Sequence, residues 1–256
     1  MHLQVDNVSK RLGAGAGAKL VLDRVSLDLH AGEFVALVGS SGSGKSTVMR
    51  LIAGLDHPTS GAITIDGDPV RGPGSDRGMV FQRYSLYPWL TAGQNVAFGM
   101  ELQGRSRQEI RERTSYFLEV VGLADAARRL PRELSGGMQQ RIAIARALAA
   151  EPKVLLLDEP FGALDIQIRE SMQEFLHQLW RQTGLTALLI THDLEEALLL
   201  ANRVHIMAPS PGRIVRSVAV SLDRSNLAHL RVTPEFLALR EELAQGLRSL
   251  EPAALR

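Results

Sequence analysis

Residues 39–47 read Gly39-Ser40-Ser41-Gly42-Ser43-Gly44-Lys45-Ser46-Thr47, which fits the pattern Gly-x-x-x-x-Gly-Lys-Ser/Thr of a phosphate-binding loop. The apolar run before it, residues 34–38, predicts a buried strand, and the apolar residues after it recur at helical spacing until Gly54. A strand, a glycine-rich turn and a helix in this order are the context that such a loop requires. The sequence therefore predicts a site for the phosphates of a nucleotide.

The residue types of this loop have chemical reasons. Its glycines let the backbone turn tightly and point successive N–H groups at an anion, at the positive end of the helix that follows. We expect Lys45 to reach the β- and γ-phosphates, Ser46 to ligate Mg²⁺ and Thr47 to lie near the α-phosphate. We therefore predict that the whole loop binds a nucleoside triphosphate together with Mg²⁺.

Composition limits the classes of function. The chain has 256 residues, 45% of them hydrophobic, which suffices for a large core in one or two domains. Its 29 Lys and Arg residues nearly balance 28 Asp and Glu residues, so the charge gives no reason to expect a nucleic acid as partner. Cysteine is absent, which excludes disulfides and thiolate metal sites. No apolar run approaches the roughly 20 residues of a membrane span, and the N-terminus lacks the apolar region of a signal peptide. Any membrane association is therefore expected to go through a partner protein.

Strand patterns alternate with helix patterns along most of the chain, which predicts an α/β fold with a parallel sheet and ligands at the carboxyl ends of its strands. Ile63 and Ile65 lead into Asp66-Gly67, a hairpin signal that predicts an antiparallel β sub-sheet. Residues 91–150 read mainly as helices, with Ser106 and Glu109 fitting a capping box, and form a predicted helical insertion. A short helical tail begins at Thr233.

An acidic pair follows the apolar run of residues 154–157. Asp158 is predicted to hold the metal, directly or through water, and Glu159 to act as general base on a water in line with the γ-phosphate. Alone, the pair would be a solvated turn after a strand. Downstream of a phosphate-binding loop, it fits Mg-nucleotide chemistry.

These motifs resemble those of the ATP-binding subunits of ABC transporters, over essentially all of residues 1 to about 220. The most specific of them is Leu134-Ser135-Gly136-Gly137-Met138-Gln139-Gln140-Arg141, which looks like the signature motif of the family. Gln82 is similar to the glutamine-loop residue, Asp165 in Ala163-Leu164-Asp165 to the D-loop, and His192 to the switch histidine. The resemblance implies a P-loop NTPase with a RecA-like core and ATP as the nucleotide.

The resemblance also implies a domain organisation. The chain would be a single nucleotide-binding domain of the ABC type. The RecA-like core and the β sub-sheet would occupy about residues 1–90 and 151–220, the helical insertion about 91–150, and the C-terminal helical tail about 222–256.

Roles for the matched residues follow from the resemblance. Gln82 would reach toward Mg²⁺ and the attacking water, and His192 would contact the γ-phosphate. In the family, two subunits pack head to tail, so that Ser135, Gly136 and Gly137 cap the nucleotide of the partner, and Asp165 belongs to the same nucleotide-binding set. A helix N-terminus such as that at Ser135 is a second anion site in one chain, which agrees with this arrangement.

The resemblance further implies where the protein works. We expect a homodimer on the cytoplasmic face of the inner membrane, peripheral to two integral permease subunits that receive solute from a periplasmic binding protein. Exposed aromatics anchor interfaces, which makes Tyr84, Tyr87 and Trp89 candidates for docking a permease. The alternative is that they pack inside the helical region.

Two positions depart from the family pattern. An aromatic residue that stacks on adenine is missing from the stretch Ser9-Lys10-Arg11-Leu12, so Leu12 would offer an apolar face to the base and Arg11 a cation. Met138 stands where glutamine is commoner, outside the expected contact of Ser135, Gly136 and Gly137.

Four segments are similar to the nitrate/sulfonate/taurine import subgroup of the family: Gly72-Pro73-Gly74-Ser75-Asp76-Arg77-Gly78, Tyr87-Pro88-Trp89, Asn95-Val96-Ala97-Phe98-Gly99 and Pro211-Gly212-Arg213. They favour a subunit that powers import of a small anion. An exporter or lipid-trafficking ATPase and a soluble ABC-type ATPase without a membrane pore remain alternatives. A P-loop kinase is disfavoured, because the signature motif would have no role in it.

Overall fold

The structure is a computed structural model that describes residues 2–13, 15–82, 85–162 and 164–250. Tyr84 and Ala163, which the sequence analysis names, lie outside the described residues. The chain forms two compact units, Met1–Gly74 with His177–Arg256, and Ser75–Leu176. The division into core, insertion and tail drawn from the resemblance stays a prediction.

The helices and strands are as follows. The helices are α1 (Lys45–Ile52), α2 (Ala92–Leu102), α3 (Arg107–Val120), α4 (Gly136–Ala149), α5 (Ile166–Thr183), α6 (Leu194–Leu200), α7 (Leu227–Leu230) and α8 (Pro234–Ser249). The strands are β1 (Leu3–Leu12), β2 (Lys19–Leu29), β3 (Phe34–Val38), β4 (Ser60–Ile65), β5 (Asp68–Pro69), β6 (Arg77–Val80), β7 (Val154–Asp158), β8 (Thr186–Thr191), β9 (Arg203–Ala208) and β10 (Arg213–Ala219). Within the described ranges, no helix is both long enough and apolar enough to cross a membrane.

The first unit combines parallel and antiparallel pairing, which confirms the predicted α/β class with an antiparallel sub-sheet. Strand β3 pairs in parallel with β8 and β9, and β9 pairs antiparallel with β10. Every residue of β3 is fully buried, as the continuous apolar run predicts for a strand covered on both faces. A separate antiparallel sheet has the strand order β2-β1-β4-β5.

The predicted hairpin at Asp66-Gly67 is present between β4 and β5. Asp66 has φ 50° and Gly67 has φ 87°, and two positive φ angles are typical of the two-residue turns that match the twist of a hairpin. The sequence patterns do not predict β9 and β10. Strand β10 is largely exposed and, among the described strands, pairs with β9 alone, so its arginine-containing sequence lacks the apolar run of a buried strand.

The second unit contains the parallel pair β6 and β7 and the helices α2, α3 and α4. Helix α2 begins with a complete capping box between Thr91 and Gln94, which the sequence analysis does not identify. At α3, the Ser106 hydroxyl accepts from the Glu109 N–H as predicted. The Glu109 carboxylate accepts a hydrogen bond from Arg105, so half of the predicted capping box is observed.

Acid should destabilise the first unit through His205 on β9. Burial and the positive charge of Arg203 lower the pKa of His205 from 6.5 to about 4, although the negative charges of Asp28 and Glu33 act to raise it. The unfolded chain takes up this proton near pH 6.5 and the folded chain only near pH 4, so stability falls across that window by up to about 3 kcal/mol. We expect His205→Asn to reduce the slope of unfolding free energy against pH between pH 6.5 and 4. Urea unfolding at several pH values measures this slope. An unchanged slope would show that other groups cause it.

Candidate functional site

The phosphate-binding loop follows β3 and His192 follows β8, and these strands are neighbours in the first unit. Val38, the last residue of β3, pairs in register with Thr191, the last residue of β8. Gly39 and His192 therefore follow at the same edge of the sheet, which is the carboxyl edge where α/β folds bind ligands. They also line one cavity of about 140 Å³ together with Ser40.

The loop has a left-handed conformation that favours glycine at two positions. Gly42 and Gly44 have φ angles of 78° and 95°, and a Cβ on Gly44 would lie 2.6 Å from the Leu22 Cδ2 atom. Gly44 is also the N-cap of α1 and supplies no side-chain cap to the first N–H groups of the helix. Those N–H groups suit an anion, so the local structure supports phosphate binding.

Lys45 lies inside the loop. It is 5% exposed, and its Nζ donates to the carbonyl oxygens of Gly39, at 2.7 Å, and Ser40, at 3.0 Å. The loop therefore holds a buried ammonium group beside its own N–H groups. Ser46, the residue predicted to ligate Mg²⁺, is exposed at the start of α1, and Thr47 is half-buried.

The turn between β9 and β10 packs closely against the phosphate-binding loop. This contact is not predicted from the sequence. The N–H of Gly212 donates to the Val21 carbonyl at 2.8 Å, and the Gly212 carbonyl accepts from the Asp23 N–H at 2.9 Å. A Cβ on Gly212 would lie 2.1 Å from the backbone oxygen of Ser43. Position 212 must therefore be glycine for the loop to keep its place.

We expect Gly212→Ala to weaken both folding and nucleotide binding. The added methyl group must displace the Ser43 backbone, an overpacking that costs about 1–3 kcal/mol, and should lower ATP affinity roughly tenfold. Urea unfolding and ATP titration would measure the two effects. Gly72→Ala is the matched control, because a Cβ there meets nothing within 4 Å. Wild-type ATP affinity in Gly212→Ala would contradict the supporting role.

Hydrogen bonds fix the backbone on both sides of His192. The Thr191 hydroxyl donates to the Glu196 carboxylate at 2.6 Å and accepts from the Asp193 N–H at 2.9 Å. Asp193 in turn caps α6 by accepting from the N–H groups of Glu195 and Glu196. The buried Thr191 and Glu196 thus anchor the turn that presents the exposed His192.

In the second unit, Gln82 and Glu159 come together after adjacent strands. Val80 of β6 pairs with Leu157 of β7, and the Gln82 Nε2 donates to the Glu159 Oε2 at 3.3 Å. Glu159 has φ 45°, a left-handed conformation that is uncommon outside glycine and is concentrated at functional sites. Asp158 ends β7 directly before it and is half-buried. All three residues are predicted site residues, but the Gln82–Glu159 hydrogen bond is not predicted from the sequence.

The signature motif begins α4, as predicted. Ser135 is the N-cap and its hydroxyl accepts from the Met138 N–H at 3.3 Å. A Cβ on Gly137 would lie 2.6 Å from the Ile168 side chain, so this glycine allows α4 and α5 to approach closely. Asp165 accepts from the Ile168 N–H at 3.0 Å, which gives it a structural role at the start of α5.

Of the aromatic residues near α2, one packs inside the helical region and another is exposed. Tyr87 packs against Phe98, with ring centroids 4.5 Å apart, and under Arg146. Trp89 is 71% exposed. Tyr87 is therefore part of the helical region, whereas Trp89 presents its ring to solvent.

Asn95 organises the loop that carries these aromatic residues. It is fully buried, accepts from the Tyr87 N–H at 2.8 Å, and donates to the carbonyls of Tyr87, Leu90 and Thr91. Arg146 adds hydrogen bonds to Ser85, and burial lowers the pKa of this arginine. In the sequence, Asn95 stands out only as part of a family-like segment, which does not predict this structural role.

The remaining predicted binding residue, Leu12, ends β1 and is 48% exposed. Next to it, the Arg11 N–H donates to the Thr59 hydroxyl at 3.0 Å. An exposed apolar side chain is available there for a base. Among the described residues, no cluster of three or more acidic or histidine side chains is suited to a metal ion.

Comparisons with known proteins agree with this geometry. A family model described as ABC transporter matches residues 22–162. The nitrate import ATP-binding protein NrtD of Synechocystis is 49% identical over 98% of this chain and 97% of its own length. The taurine import ATP-binding protein TauB of Sinorhizobium fredii is 46% identical over 94% of this chain and 92% of its own. A dimeric structure of the ATP-binding cassette MJ0796 bound to ADP and Pi is 35% identical, with a TM-score of 0.74, and covers 85% of this chain and 98% of that chain.

Proposed function

Because the chain belongs to the ABC transporter family, in which it is an ATP-hydrolysing, ATP-binding subunit, we propose that it powers the import of nitrate, a sulfonate, taurine or a similar small anion. The observation that carries the proposal is the similarity, over nearly the whole chain, to import ATP-binding proteins for nitrate and for taurine. Both solutes carry an anionic oxygen-rich group. The subunit itself contacts ATP, so the choice of solute lies with its partners.

The phosphate-binding loop is the proposed ATP site. The buried Lys45 ammonium and the N–H groups at the start of α1 neutralise phosphate charge, and Leu12 offers its exposed side chain to the adenine. Mg²⁺ would be held by the Ser46 hydroxyl, the Asp158 carboxylate and the Gln82 amide oxygen. These are the hard oxygen donors that Mg²⁺ prefers, with nucleotide phosphates as further ligands. When bound, Mg²⁺ neutralises charge on the phosphates.

Three side chains are assigned to hydrolysis. Glu159 accepts a proton from the attacking water as general base. Gln82, hydrogen-bonded to Glu159, orients that water and fixes the carboxylate. His192, presented by the anchored turn between β8 and α6, contacts the γ-phosphate. The left-handed backbone at Glu159 supports this assignment, since strained conformations persist where function requires them.

We propose that two copies work as a head-to-tail dimer, in which Ser135, Gly136 and Gly137 of one subunit cap the γ-phosphate bound by the other and Asp165 adds a polar contact. The N-terminus of α4, whose first N–H groups Ser135 only partly satisfies, supports an anion site there. The dimeric state of the similar cassette MJ0796 favours the same assembly. ATP binding would close the dimer and hydrolysis would reopen it.

The dimer would sit on the cytoplasmic face of the inner membrane against two permease subunits, with a periplasmic binding protein delivering the solute. The exposed Trp89, on the loop that Asn95 fixes, is the proposed anchor for a permease. A large aromatic side chain on a rigid loop binds at low entropic cost.

Purification of the tagged protein from detergent-solubilised membranes tests the proposal. We expect an integral permease to copurify, and uptake of labelled nitrate or taurine into proteoliposomes of the complex to require ATP. Trp89→Ala should release the permease, whereas Tyr116→Ala, another exposed aromatic of the same unit at 57% exposure, should not. Recovery of only soluble partners, or ATP-driven movement in the export direction, would contradict the import function.

A further inference from the structure

Helix α8 brings the C-terminal part of the chain to the nucleotide edge of the first unit. Leu247 in its last turn and Leu250 at its C-cap line the same cavity of about 140 Å³ as His192, Gly39 and Ser40. Both leucines are half-buried. One wall of this cavity is therefore apolar and comes from a helix to which none of the sequence motifs assigns a role.

Buried side chains and hydrogen bonds along helix α8 fix its position, and with it the position of this apolar wall. Phe236 and Leu243 are fully buried. Arg240 donates to Glu195, in the first turn of α6, at 2.6 Å, and Arg216 of β10 donates to Glu242. The helix that carries the wall is thus tied to the helix that begins just after His192.

The surroundings of His192 show what the wall adds. The hydrogen bonds of Thr191 and Asp193 fix the backbone of the turn, but the orientation of the imidazole ring also depends on the groups that line its cavity. Aliphatic side chains beside a ring restrict the rotamers that the ring can adopt.

We propose that Leu247 and Leu250 are positioning residues for His192, which hold its ring in the orientation used during ATP hydrolysis. The proposal rests on the role proposed above for His192. It predicts that α8 acts on the rate of the chemical step and not on nucleotide affinity, because neither leucine carries a group that binds phosphate.

The first test is the double variant Leu247→Ala, Leu250→Ala in the full-length protein. We expect kcat for ATP hydrolysis to fall roughly tenfold while KM for ATP changes less than about twofold, the pattern of an interaction used in the transition state. The matched control is Leu237→Ala on the same helix, whose side chain is 40% exposed and which should leave kcat unchanged. Leu247→Met with Leu250→Met keeps the wall apolar and should retain most of kcat, which separates positioning from loss of folding.

The second test is a double-mutant cycle with His192→Ala. A positioning residue acts only through the group it positions, so the alanine substitutions should have no further effect in the His192→Ala background. An equal loss of kcat in both backgrounds, or a rise in kcat, would overturn the proposal. If His192→Ala lowers kcat and the leucine variant does not, only the positioning role fails. An unchanged kcat in His192→Ala alone would remove the catalytic role of His192 and the positioning role with it.

Discussion

Glu159→Gln should lower kcat for ATP hydrolysis by about 100-fold or more, because a positioned general base contributes roughly 10²–10⁴-fold to a proton transfer. The amide cannot accept a proton from the attacking water. Its oxygen can still accept the hydrogen bond that Gln82 donates to the carboxylate at 3.3 Å. The substitution therefore removes the general base while preserving the shape of the site, and ATP affinity should stay near the wild-type value.

The same variant should accumulate in the ATP-bound state, because binding proceeds and hydrolysis does not. Steady-state phosphate release would measure kcat, titration with ATP would measure affinity, and size-exclusion chromatography with ATP and Mg²⁺ should show a stable dimer. Glu174→Gln is the matched control, an exposed carboxylate on α5 with no assigned role. Turnover at the wild-type rate in Glu159→Gln would exclude this residue as the base.

Structural features that are determined by residues close together in the chain were predictable from the sequence. Five apolar residues before Gly39 indicate a strand buried on both faces, and the structure has β3 there with every residue fully buried. Asp66-Gly67 indicates a hairpin because few residues tolerate two positive φ angles in succession. Ser135 indicates a helix N-cap for a similarly local reason. In each case the residues that determine the structure are neighbours in the chain.

Features that depend on distant residues were not predictable in this way. Gly212 supports the phosphate-binding loop only because the turn between β9 and β10 is placed beneath Ser43, and nothing near residue 212 in the sequence indicates that placement. The hydrogen bond between Gln82 and Glu159 joins residues 77 positions apart. Asn95 has four hydrogen bonds to the loop that precedes it, and the local pattern indicates only a helix. A buried asparagine in a helix is a usable signal for such a role, since buried amides require partners.

Lys45→Ala should nearly abolish ATP binding, because two losses add. The phosphates lose a charge-assisted hydrogen bond, which contributes about 1.5–3 kcal/mol. The loop also loses the ammonium that bridges the carbonyls of Gly39 and Ser40 at 2.7 and 3.0 Å, so its conformation relaxes. A combined loss of about 3 kcal/mol or more corresponds to an ATP affinity at least roughly 100-fold weaker.

Lys45→Arg separates charge from geometry at the same position. The guanidinium keeps the positive charge, but a planar fork cannot replace a compact ammonium in a site where the side chain is 5% exposed. We therefore expect ATP binding in Lys45→Arg to be weakened almost as much as in Lys45→Ala. The control is Lys19→Ala, an exposed lysine at the start of β2, which should bind ATP normally. Near wild-type affinity in Lys45→Arg would mean that charge alone suffices, and that the two carbonyl contacts do not determine how the loop holds the nucleotide.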